Sequence, residues 1–85
     1  MHEVSLVQAL FDQADRAIPP HPSADVRQIT VRIGALAGVE QALFRSAFEG
    51  CKGDRGYANA TLVLLEVPAA SDLILQRLEL ETRDV

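Results

Sequence analysis

The chain begins Met1-His2-Glu3. A free α-amine, a backbone amide nitrogen and an imidazole in that order can close adjoining chelate rings on one divalent ion. Several nitrogen donors in a plane suit nickel(II) and copper(II), and imidazole serves both. Such donors bind only after losing protons, so the grip tightens as pH rises. A nearby carboxylate could complete the set. Against this stands the ordinary reading of a chain end as solvated and unconstrained. The three residues alone leave both readings open.

Other chemistry-bearing residues are sparse. His21 sits in a proline-rich stretch with no second ligand or orienting carboxylate beside it, and reads as a solvated side chain. Cys51 is the sole cysteine. That excludes an internal disulfide or a multi-thiolate zinc site built from this chain, and its place on an apolar helical stripe makes it a packing thiol. GCKGDRG lacks the ending of a phosphate-binding loop and follows a helix rather than a strand. No acid, base and nucleophile converge, so no enzyme is expected.

Net charge is −4, and the eight Lys and Arg residues are scattered along the chain. Nucleic acid, which demands clustered cations, is not an expected partner. The apolar runs are too short to span a bilayer and the start lacks the features of a secretory signal, so the expectation is a cytoplasmic protein without membrane contact.

The elements that must position the chain start follow from periodicity. Val7, Leu10, Phe11, Ala14, Ala17 and Ile18 recur at helical spacing, with Ser5 and Gln8 placed as a capping box, which predicts a helix from about residue 5. Pro19, Pro20 and Pro22 end it. VRQITVRIG alternates as a half-buried strand that stops at Gly34. Val39, Leu43, Phe44, Ala47, Phe48 and Cys51 mark a second helix, with Glu40 in its first turn. GCKGDRGYANA reads as a loop, ATLVLLEVP as a well-buried strand, and LILQRLELE, after a short PAAS turn, as a last strand. The expectation is an α/β (α+β) fold within a single domain spanning 1–85: a small mixed three-stranded sheet with two helices packed on it, in the order α-β-α-β-β.

MHEVSLVQAL, then ITVRIGALAGVEQALFRSAFE, then ATLVLLEVP resemble the HypA/HybF family of nickel accessory proteins, with family-like spacing from Met1 to about Pro68. The final LILQRLELE is similar to the family's closing strand. The resemblance implies a nickel(II) metallochaperone for [NiFe]-hydrogenase maturation. It implies a metal site at His2 with the neighbouring nitrogens of Met1 and Glu3, and Glu40 of the GVE element near it. It further implies work with the partner GTPase HypB and the hydrogenase large subunit. Members carry a zinc domain with two CxxC pairs between the last two strands. Here Pro68-Ala69-Ala70-Ser71 joins those strands directly, and Ala37 stands where a serine is usual. No zinc is therefore expected. The missing insert raises an alternative function, an interaction or dimerisation module that keeps the fold without delivering metal, with closing strands free to pair in a homodimer.

Overall fold

The computed structural model describes residues 2–81. The elements run α1 (Glu3–Ala17), a 3-10 turn (Ser23–Asp25), β1 (Val26–Gly34), α2 (Gln41–Cys51), β2 (Thr61–Val67) and β3 (Leu73–Leu80). This is the α+β order read from the sequence. Helix α1 starts at Glu3, earlier than the expected residue 5, and the Ser5–Gln8 capping box is not made: His2 is the N-cap and no side chain caps there. The early start has a cause in the tertiary structure, because the Glu3 carboxylate is held by the backbone of Glu40.

The strands lie in the order β2-β1-β3, with β1 parallel to β2 and antiparallel to β3. β1 is therefore central, and α2 is the crossover that a parallel pair requires. β2 is an edge strand in which Leu62 alone is fully buried, not the well-buried strand expected from its run of apolar residues. Likewise β2 and β3 do not pair with each other. Residues 68–72 carry the chain across the end of β1, where Gly34 donates to the Asp72 carbonyl at 2.8 Å and Leu36 to that of Ala70 at 3.0 Å.

One core lies between the helices and the sheet. Val7, Leu10, Phe11 and Ala14 line the buried side of α1, with Ile18 just past its end, and Val26, Ile29 and Val31 of β1 join them in the core. Phe44 and Phe48 of α2 complete it, while Leu43 is 56% exposed. An 11-residue helix touching a thin core buries a narrow stripe at i and i+4, and Leu43 falls just off it. Ala17, also assigned to a buried stripe by spacing, is exposed. Phe11 stacks on Phe48 at 5.3 Å and on Tyr57 at 5.0 Å between centroids, so an aromatic from the irregular loop closes the core. Thr30, on the opposite sheet face, is buried because it lies between Val63 and Arg77 of the flanking strands.

A Cβ at Gly34 would sit 2.2 Å from the Ala70 carbonyl oxygen, a backbone atom that cannot move aside. Gly34→Ala is expected to destabilise the fold by about 1–3 kcal/mol, the cost typical of overpacking, read as a lower urea midpoint with an unchanged slope.

Candidate metal centre at the chain start

Helix geometry leaves the first amides of α1 without partners inside the helix. Glu3 opens that helix, and the His2 carbonyl accepts the Leu6 N–H at 3.1 Å. The His2 side chain is exposed. Met1 lies outside the described residues.

Glu3 behaves differently from its neighbour. It is 7% exposed, and its Oε2 accepts the backbone N–H of Glu40 at 3.2 Å. That hydrogen bond is the main reason its carboxyl titrates below its ordinary value of 4.5; burial opposes the shift and the residue's own amide adds to it. Glu40 is the N-cap of α2 rather than a first-turn residue, so the Glu3 carboxylate caps α2 in trans and lies where the helix dipole favours an anion. The Glu40 side chain makes no capping bond and is exposed. The structure thus joins Glu3 to Glu40 directly, with His2 next along the chain. Among the described residues no three His, Cys, Asp or Glu side chains group as metal ligands.

Beside these residues lies an open cleft of ≈ 450 Å³ between the two helices, lined by His2, Glu3, Val4, Ser5, Leu43, Ser46 and Ala47. Val4 and Leu43 are 57% and 56% exposed, giving it an apolar rim.

A second cluster, unforeseen in the sequence, holds α1 in place. Arg55 Nη2 donates to Asp12 Oδ1 at 2.7 Å and Asp15 Oδ2 at 3.1 Å, while its Nη1 reaches the Gln8 carbonyl at 3.3 Å and the Gln8 side-chain oxygen. The guanidinium lies 5.6 Å from the Phe11 ring centroid. Tyr57 donates its hydroxyl to Asp15 at 2.7 Å, and burial followed by that bond pushes the phenol upward. The available signal was Gln8, Asp12 and Asp15 on one helical face, a polar row with no local partner. Cys51 is half-buried and accepts a weak contact from the Gln8 amide at 3.7 Å, and His21 is exposed in its loop.

The fold defines a class of small α+β protein with a counterpart among solved structures. The solution structure of the Ni metallochaperone HypA from Helicobacter pylori matches with a TM-score of 0.70 at 21% identity, over 91% of this chain and 72% of that one. Residues 1–72 match the family described as hydrogenase/urease nickel incorporation, metallochaperone, hypA. The chain belongs to that family. Proteins named hydrogenase maturation factor HypA are similar to it: one from Shewanella baltica (strain OS223) is 31% identical over 79% of this chain and 56% of its own length. Another, from Helicobacter hepaticus, is 32% identical over 99% of this chain and 64% of its own. The chain spans roughly half the length of the first Shewanella relatives it matches, 56% and 46% of two of them. No helix among the described residues is long and apolar enough to cross a membrane.

Because Glu3 is acidified by folding, its contribution to stability is complete above its ordinary value of 4.5 and is lost as pH falls through the lower folded value. Glu3→Gln keeps an acceptor for the Glu40 amide but removes the charge. The variant is expected to show a flatter decline of stability below pH 4.5 than the parent, measured by thermal denaturation across an acid series.

Proposed function

We propose that this chain carries nickel(II) as cargo at its own N-terminus and passes it to a hydrogenase during maturation. The observation that supports this most is an exposed His2 at the start of α1, next to the Glu3–Glu40 junction, in a chain of the nickel-incorporation family. The donors are the Met1 amine, the amide nitrogens of His2 and Glu3, and the His2 imidazole, with the exposed Glu40 carboxylate as a further candidate. The Glu3 carboxylate is committed to the Glu40 amide and acts as a positioning group rather than a donor. By anchoring the first turn of α1 it holds the chain start against α2, so the metal is gripped by a short segment on a rigid support. The relatives' names place them in hydrogenase maturation, and the recipient is accordingly the hydrogenase large subunit, with the GTPase HypB as partner in transfer. The cleft beside His2, with Val4 and Leu43 at its rim, is where such a protein would approach the metal.

Deprotonated amides and imidazole are strong donors, so proton competition sets the direction of transfer: binding tightens with rising pH and weakens on acidification. Copper(II) outcompetes nickel(II) at such nitrogen donors in vitro, and selection in the cell rests on supply. The direct 68–72 connection supports a second reading, a family member that docks with partners but carries no metal.

Isothermal titration of tag-free protein with nickel separates the two. His2→Ala is expected to weaken binding by about 100-fold and Glu40→Ala by about 10-fold, the larger loss belonging to the residue that supplies a donor and closes a ring. A two-residue N-terminal extension should also weaken binding, because an acylated nitrogen is a poor donor. Equal affinity of parent and His2→Ala would remove the nickel assignment and leave the docking module.

A further inference from the structure

A sheet that packs on one side ordinarily turns polar side chains to the other. Ile29 and Val31 of β1 lie in the core, so alternation places Gln28, Thr30 and Arg32 on the face away from the helices. The register fixes their neighbours there: Thr30 lies between Val63 and Arg77, and Arg32 between Leu65 and Ile74. Val63, Leu65 and Val67 run as an apolar row along β2, and Ile74 stands across Arg32 from that row. Leu65 and Ile74 are 43% and 40% exposed, so this part of the face is open and apolar.

Arg32 stands at the centre of this patch. It is half-buried, and among the described residues its guanidinium has no hydrogen-bond or ion-pair partner. Arg77 and Glu79, farther along the same face, satisfy each other at 3.1 Å. A chain of net charge −4 thus leaves an uncompensated cation among apolar side chains. Its planar fork of donors fits a carboxylate bidentately. Covering the patch would exclude water and strengthen such a pair.

The charge selects the occupant. Two copies stacked about a two-fold axis through the patch would set Arg32 against Arg32. Nucleic acid or an anionic membrane needs several cations, and this patch offers one. A helix fits the width: three strands give two spacings, about 10 Å, close to the diameter of an α-helix with its side chains. Helices also cover the other face of this sheet. We infer that the open face docks an amphipathic helix of a partner protein. One Asp or Glu in the apolar stripe of that helix pairs with Arg32, and the apolar side chains around it cover Leu65 and Ile74. The passage of residues 68–72 bounds the patch, because the Ala70 carbonyl occupies the space into which a Gly34 Cβ would project. The patch lies across the sheet from both helices, so it stands independently of the nickel reading.

A displayed library of helical peptides, selected against the metal-free full chain in chelator, supplies the probe. The enriched peptides are expected to carry an Asp or Glu within an apolar stripe and to bind with Kd of about 1–100 μM, the range of a small transient interface. On isotope-labelled protein they should shift the amide resonances of Arg32, Leu65 and Ile74. Arg32→Glu should weaken binding at least about tenfold, and exchanging the peptide carboxylate for Lys should bring the affinity for that variant back to within about threefold of the parent pair. Leu65→Ser, at an exposed position, should also weaken binding about tenfold with an unchanged thermal midpoint, which keeps the test open if Arg32→Glu unfolds the chain. Enrichment of peptides without a carboxylate, resonance shifts confined to the cleft between the helices, or affinity indifferent to Leu65→Ser or to the charge exchange would each overturn the inference. So would sedimentation showing that copies of the chain associate through this face in place of the peptide.

Discussion

A single hydrogen bond, from the backbone N–H of Glu40 to the carboxylate of Glu3, determines how the start of this chain is held. It satisfies an amide at the N-terminus of α2 that would otherwise have no partner, and it does so with a charge that the helix dipole favours. The same contact extends α1 down to Glu3, leaving His2 at the cap. A chain end that would ordinarily fray becomes the first turn of a packed helix. The remaining structure supports this contact by fixing the two helices relative to each other.

That fixing is done from the irregular segment between α2 and β2. Tyr57 enters the aromatic stack on Phe11, and Arg55 clamps three polar residues along α1. Both partners come from a loop of turns, and the chain accommodates them with Gly56 at φ 90°, where a Cβ would meet the Ser23 hydroxyl at 2.6 Å. Burial of Tyr57 is tolerable because its hydroxyl ends on Asp15. In a chain of 85 residues, where little surface is buried, such a polar clamp supplies orientation that packing alone does not.

Much of this was legible in the residues. The helices and strands follow from apolar periodicity and from the prolines and glycines between them, and β1 was bounded correctly because alternation and Gly34 mark both its nature and its end. The start of α1 was misplaced because its cap comes from tertiary structure: Glu3 and Glu40 are remote in sequence and meet only in the fold. The edge position of β2 escaped for a similar reason, since a run of apolar residues reports hydrophobicity and not the number of neighbouring strands. At the candidate centre, His2, Glu3 and Glu40 were named from sequence. The division of labour between them, an exposed imidazole beside a carboxylate engaged with a backbone amide, required coordinates. The Arg55 clamp carried only a faint signal in the spacing of Gln8, Asp12 and Asp15.

The passage of residues 68–72 over the end of β1 has a further meaning. Because β1 stands between the strands it connects, that passage must bridge two strand spacings, about 10 Å, whatever its length. Its anchoring points belong to the framework: Val67 closes β2, Leu73 opens β3, and Gly34 lies bare beneath. Lengthening a bridge whose endpoints are already set costs little, since closure entropy grows only with the logarithm of length. The site is therefore a natural graft junction, able to hold a brief tie as here or an entire additional module, with the three strands and the chain start undisturbed in either case.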